Sequence, residues 1–143
     1  HGPHPGGVMT SGVLVDSNVL LDVLLEDPHW FAWSAEHLAA CAEEAALIIN
    51  PIVYSEVSIG FERIEDLEAA LPAADFERHS LPWEAAFLAG KCFLSYRKRG
   101  GTRRSPLPDF FIGAHASVRS LTLLTRDARR YRTYFPKLPL IAP

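Results

Sequence analysis

Short apolar runs alternate along this chain with longer stretches in which apolar residues return every three or four positions. This is the pattern of β-strands separated by amphipathic helices. Val13-Leu14-Val15 is a short, largely β-branched run, and Asp16-Ser17-Asn18 supplies N-cap chemistry for an apolar helix reaching Leu25. Pro28 is expected to open a second helix with Phe31, Leu38, Ala42 and Ala45 inward and Glu36, Glu43 and Glu44 outward. Leu47-Ile48-Ile49 reads as a second strand, followed after Pro51 by a helix whose apolar stripe is Val53, Val57 and Phe61. A short acidic helix over 64–71 stops at Pro72, and Arg78–Leu81 suits a short edge strand. A long helix over 84–99 ends at Gly100-Gly101. Pro108 fits the first turn of an Ala-rich, buried helix over 110–118. A strand at 121–124, a basic helix at 128–134 and a last strand near 138–141 complete the pattern.

Alternation of this kind favours an α/β fold, with a central parallel sheet of four to five strands covered by helices on both faces. No repeat or linker divides the chain, so residues 9–143 are expected to form one domain. Residues 1–8, HGPHPGGV, read as a tag remnant or disordered lead-in, with Met9 a plausible natural start. Cys41 and Cys92 sit in apolar helical stretches without metal-ligand spacing, as buried free thiols of a reducing compartment do. No apolar run approaches a membrane span and no secretory signal is visible, so a cytoplasmic location is expected.

Charge changes this picture, because a near-neutral total hides strong segregation. Residues 1–90 carry fifteen acidic and two basic side chains, whereas residues 91–143 carry two acidic and twelve basic. The two acids in the basic part, Asp109 and Asp127, stand at the ends of apolar segments, where carboxylates suit the holding of a cation. In open parallel sheets ligands bind beyond the carboxyl ends of the strands. Asp16 directly follows strand one, Asp127 comes three residues after strand four, Glu56 lies one to two turns into the helix after strand two, and Asp109 opens the helix feeding strand four. If strands one and four are neighbours, all four converge on one edge. Two carboxylates 4–5 Å apart repel by roughly 3–4 kcal/mol at an effective dielectric near 20. A proton or a hard cation must offset this, and an oxygen-only donor set points to Mg²⁺ or Mn²⁺. Such an ion suits phosphodiester hydrolysis, and the surrounding arginines would hold a polyanion.

Each acid also has an ordinary reading. Asp16 caps a helix, Asp109 complements a helix N-terminus, Glu56 faces water on an amphipathic helix, and Asp127 is a turn residue. Asp22, in the apolar first helix, reads as an exposed or helix-pairing charge, and His115 as a core histidine. Tyr131, Tyr134 and Phe135 could stack bases, although packing against the sheet suits aromatics at this spacing better. Trp30, Phe31 and Trp33 read as core.

Four segments, VLVDSNVLLDVL at 13–24, INPIVYSEVSIGF at 49–61, LPDFFIGAHA at 107–116 and LLTRDARRYRTYFP at 123–136, resemble the PIN domain, and in particular the VapC toxin ribonucleases of bacterial type II toxin–antitoxin pairs. The resemblance runs from Val13 to roughly the C-terminus. It implies a Rossmann-like three-layer sandwich and a metal-dependent endoribonuclease that hydrolyses RNA with a metal-activated water. By position, the catalytic and metal-binding acids fall on Asp16, Glu56, Asp109 and Asp127, with Asp16 and Asp109 as principal ligands of Mg²⁺ or Mn²⁺. Asn18, Arg103, Arg104, Thr125 and Arg126 are candidates for substrate contacts, within a wider basic rim that includes Arg97, Lys98, Arg99, Arg129, Arg130 and Arg132. The resemblance further implies an RNA substrate, a cognate VapB-type antitoxin and a homodimer. The alternatives are a catalytically silent RNA-binding scaffold of the same fold, or an aspartate-rich phospho-acceptor or nucleotide-binding module. The latter lacks a P-loop, a GxGxxG after strand one and paired acids before Asp16.

Overall fold

In the computed structural model, residues 12–101 and 106–143 are described; the lead-in at 1–8 and the candidate contacts Arg103 and Arg104 lie outside them. The order is β1 (Val13–Val15), α1 (Ser17–Leu24), α2 (Phe31–Glu44), β2 (Leu47–Ile49), α3 (Pro51–Ser58), α4 (Ile64–Ala70), β3 (Glu77–Arg78), α5 (Trp83–Lys98), α6 (Leu107–Val118), β4 (Thr122–Leu124), α7 (Arg129–Tyr134) and β5 (Leu140–Ile141). All strand pairs are parallel, in the order β3-β2-β1-β4-β5. This is the five-stranded α/β sandwich that the alternation predicts.

The strands are short but apolar. Val13, Leu14 and Val15 are solvent-free, and β2 is buried throughout, as expected for central strands covered on both faces. From β1 the chain runs outward through β2 to β3, then crosses back to β4 on the other side of β1. The β1–β4 junction is therefore the topological switch point. Register sets Val15 beside Leu124, so Asp16 and Thr125 leave the sheet side by side, and the Asp16 amide donates to the Leu124 carbonyl at 2.9 Å.

Several boundaries differ from the sequence expectation. The second helix begins at Phe31, not Pro28, because the Asp27 carboxylate takes the amides of His29 and Trp30 and holds Pro28 in the turn before it. Its covered side carries Ser34 and Cys41, whereas Phe31 and Ala42 are exposed and Trp30 and Trp33 only half-buried. α3 ends at Ser58, leaving Phe61 beyond it. β3 is Glu77–Arg78, shifted toward the N-terminus, with both residues exposed at the sheet edge. β5 shortens to Leu140–Ile141 because Leu138 is still in a turn, its amide bonded to the Phe135 carbonyl. α6 starts at Leu107, with Pro108 in its first turn as expected.

Helix ends follow local chemistry. After α5, Gly100 takes φ 87°, and the amides of Gly101 and Gly100 return to the carbonyls of Tyr96 and Arg97. That Schellman arrangement requires a left-handed residue, which glycine adopts without steric cost.

α6 is covered almost all round, with Phe110, Ile112, Gly113, Ala114, His115 and Ala116 buried and extensive packing against α5. A Cβ at Gly113 would overlap the Phe135 ring, so this glycine sets how closely the end of α7 approaches α6. His115 is a solvent-free core residue, as its sequence context suggests. The Asn50 amide bonds its Nδ1 at 2.9 Å while Asn50 Oδ1 caps α3 at Val53 N. The ring proton then sits on Nε2, which has no hydrogen-bond partner among the described residues. Burial, with the positive charges of His79 and Arg119, pushes the His115 pKa down to about 4.

Two outcomes follow. Gly113→Ala is expected to destabilise the fold by roughly 1–3 kcal/mol, measured by urea unfolding, because the ring must move out of a packed layer. His115 favours the neutral form when folded, so its contribution is complete above the ordinary value of 6.5 and is lost as pH falls from there toward about 4. Across that window wild type should lose at most about 1.4 kcal/mol per pH unit more than His115→Gln. Parallel stability curves for the two proteins would contradict this.

Candidate metal-binding and catalytic site

Asp16 is the centre of the switch-point cluster. It ends the solvent-free β1 in extended conformation and is itself only 3% exposed. Its Oδ1 accepts the Ser17 amide at 2.8 Å, so the N-cap reading is correct, while Oδ2 accepts the hydroxyls of Thr125 and Tyr131, each at 2.9 Å. Capping thus uses one carboxylate oxygen and leaves the other facing β4 and α7. Ser17 Oγ donates to Glu56 Oε1 at 2.7 Å, bringing the first residue of α1 against α3.

The acids feel one another. Burial, reinforced by Asp109 and Glu56, raises the Asp16 carboxyl to about 7 despite the Thr125 and Tyr131 hydroxyls. Glu56 is raised by burial and by Asp109, against its Ser17 hydrogen bond. Asp109 is raised by burial and by Asp127, while Arg130 pulls it down. Asp127 is exposed, and its backbone amide donates to Thr125 Oγ1 at 3.1 Å. The four sequence-predicted acids are therefore electrostatic neighbours at one edge of the sheet.

Of the basic rim, Arg97, Lys98, Arg99, Arg129 and Arg132 are exposed, whereas two arginines are engaged by carboxylates. Arg130 Nη1 donates to Asp109 Oδ2 at 2.7 Å, and Arg126 Nε donates to Asp22 Oδ2 at 2.8 Å. Asp22 is not an exposed charge: it is 2% exposed and also accepts the Ser34 hydroxyl at 2.7 Å, pairing α1 with α2. Arg126 further lies over Trp30, and its amide donates to Asn18 Oδ1 at 3.3 Å. Asn18 Nδ2 reaches Thr125 Oγ1 at 3.4 Å, so both ends of Asn18 serve the turn after β4. Arg97 and Arg99 lie over Phe93 and Tyr134. Tyr131, expected to pack against the sheet, is buried but adds a hydroxyl to Asp16; burial first, then Asp16 and Asp109, holds that phenol well above its ordinary pKa. Ser17, read from the sequence as cap chemistry, and Tyr131, read as sheet packing or base stacking, are hydrogen-bond partners of the acids that the sequence did not assign.

No group of three or more His, Cys, Asp or Glu is already gathered around a single point among the described residues. The donor set nevertheless suits a hard divalent cation: it is all oxygen, its charges are mutually unfavourable, and Asp16 is aligned by three hydrogen bonds.

A five-stranded parallel sandwich with neighbouring acids at its switch point defines the class, an α/β protein whose candidate site lies at the carboxyl ends of β1 and β4. The PIN domain family model matches residues 13–136, and the chain belongs to that family. No curated protein sequence matches significantly. The fold is shared with a chain of VapBC2 from Rickettsia felis bound to a promoter DNA fragment, at TM-score 0.70 and 19% identity, covering 94% of this chain and 98% of that one. VapBC-1 from nontypeable Haemophilus influenzae matches at 0.68 and 19%, with the same coverages of 94% and 98%. A toxin–antitoxin complex from Klebsiella pneumoniae matches at 0.66 and 21%, covering 91% and 96%.

The Asp22–Arg126 pair can be tested apart from any activity. Arg126→Met leaves a buried carboxylate with Ser34 as its remaining side-chain partner, and is expected to cost about 2–4 kcal/mol in denaturant unfolding. Adding Asp22→Asn should return much of that loss. Additive penalties would show that the two side chains are not coupled.

Proposed function

We propose that this protein is the toxin of a type II toxin–antitoxin pair, a VapC-type endoribonuclease dependent on Mg²⁺ or Mn²⁺. The observation that carries this reading is the buried Asp16 at the β1–β4 switch point, its carboxyl raised by burial and by Asp109 and Glu56. Membership of the PIN domain family and the fold shared with chains of VapBC complexes support the toxin assignment. They equally support a VapB-type antitoxin as partner, and the toxin class implies an RNA substrate and a homodimer.

Asp16 and Asp109 would be the principal metal ligands, with Glu56 and Asp127 completing the shell directly or through water. A bound divalent ion supplies the Lewis acidity that makes water nucleophilic and neutralises a phosphate oxygen. The protein's own work is positioning. Thr125 and Tyr131 fix the Asp16 carboxylate, Ser17 holds Glu56, and Tyr131, kept protonated by its surroundings, acts as a donor rather than a base. No serine, cysteine or histidine is needed as a covalent nucleophile.

The catalytically silent scaffold has one observation in its favour, the engagement of Asp109 by Arg130. A single comparison separates the readings. Wild type should cleave members of a panel of structured RNAs in Mn²⁺ or Mg²⁺ and lose cleavage to a chelator, while Asp16→Asn falls by at least about a hundredfold. If wild type shows no metal-dependent cleavage beyond that variant across the panel, the enzyme reading fails.

A further inference from the structure

We propose that Arg130 is a resident counter-ion of the acidic site, a side chain that occupies Asp109 until a divalent metal displaces it. The inference rests on the metal-dependent reading above and concerns what this chain itself does to metal affinity.

α7 presents two consecutive side chains to two consecutive needs. Tyr131, 1% exposed, gives its hydroxyl to Asp16 Oδ2, and Arg130, on the adjoining position, gives Nη1 to Asp109 Oδ2. The neutral partner is buried and fixed. The cationic partner sits at the rim, with both side chains of the Arg130–Asp109 pair 35% exposed. A part-exposed ion pair opens at small cost, unlike a buried one.

Arg130 also has somewhere to go. Its guanidinium carbon lies 5.9 Å from the Tyr96 ring centroid, and Tyr96 on α5 packs edge-on against Phe110, the residue after Asp109. The side chain can therefore leave the carboxylate and stay at the mouth of the site. Arg126 is not an equivalent counter-ion, because it is committed to Asp22 and Trp30.

The physical case for exchange is direct. Asp109 is pressed by burial and by Asp127; Arg130 is the main group that relieves it, with a smaller contribution from the Tyr131 hydroxyl. A guanidinium supplies charge but no lone pair, so it cannot share a ligand shell, and two cations within a few ångströms of one carboxylate repel. A metal arriving at Asp109 Oδ2 must break the 2.7 Å contact, and one arriving at Oδ1 meets the repulsion of a guanidinium held on the other oxygen, so either way Arg130 lowers metal affinity.

The test is Mn²⁺ titration by calorimetry, with circular dichroism confirming that each variant is folded. Arg130→Met should bind Mn²⁺ about three- to fivefold more tightly than wild type, the upper size expected for loss of a part-exposed competing ion pair. Arg130→Lys, which retains a cation at that position, should stay within about twofold of wild type. Equal or weaker Mn²⁺ affinity in Arg130→Met, with Asp109→Asn still losing affinity, overturns the counter-ion role and leaves the metal site standing. Wild-type affinity in a folded Asp109→Asn protein would remove the metal assignment itself and this inference with it.

Discussion

A carboxylate taken out of water at the end of a solvent-free strand is the constraint on which the other parts of this site depend. Asp16 is placed there by β1, whose three residues have no exposed surface, and by the backbone bond that ties it to the end of β4. Burial of such a group is tolerable only if its oxygens are hydrogen-bonded, and the fold provides an amide and two hydroxyls. Those donors come from α1, the residue after β4, and α7. Satisfying one side chain thus fixes the mutual placement of elements more than a hundred residues apart in the chain.

Charge balance explains the rest of the edge. The basic C-terminal part looks, as composition, like a surface for a polyanion. In the folded chain two of its arginines turn inward instead, Arg126 to the buried Asp22 and Arg130 to Asp109. Asp22 belongs to the acidic N-terminal part, so its pair with Arg126 joins the two segments in space, whereas Arg130 pairs with Asp109 within the basic one. Arginine suits both places because its fork can donate to a carboxylate while its flat face lies over Trp30 or Tyr96.

The fold was largely legible before the structure. Apolar runs flanked by helical periodicity mark each strand, and a chain that alternates β and α has few ways to cover a sheet other than a parallel sandwich. PIN domain membership, and a fold shared with solved VapBC chains at about one-fifth identity, agree with this. Boundaries were less legible. Pro28 is compatible with a helix start, but the Asp27 carboxylate competes for the same amides and delays the helix to Phe31. The covered side of α2 was misread in part: Phe31 and Ala42, expected inward, are exposed and Ser34 and Cys41 are buried, because several faces offer small or apolar residues and the neighbouring helix chooses among them.

For the site, the sequence by itself picked out the candidate acids, Asp16, Asp109 and Asp127 at strand ends and a helix start and Glu56 within the helix after β2, while their electrostatic proximity depends on the strand order. Local sequence fixes those positions because caps and strand termini are chosen within a few residues. Tertiary structure alone decided the partners. Ser17 on Glu56, Tyr131 on Asp16, Arg130 on Asp109 and Arg126 on Asp22 join residues 21 to 115 positions apart. No periodicity encodes such distances; they arise when packing of α6, α7 and the sheet brings a free donor within 3 Å of a carboxylate that burial has left in need of one.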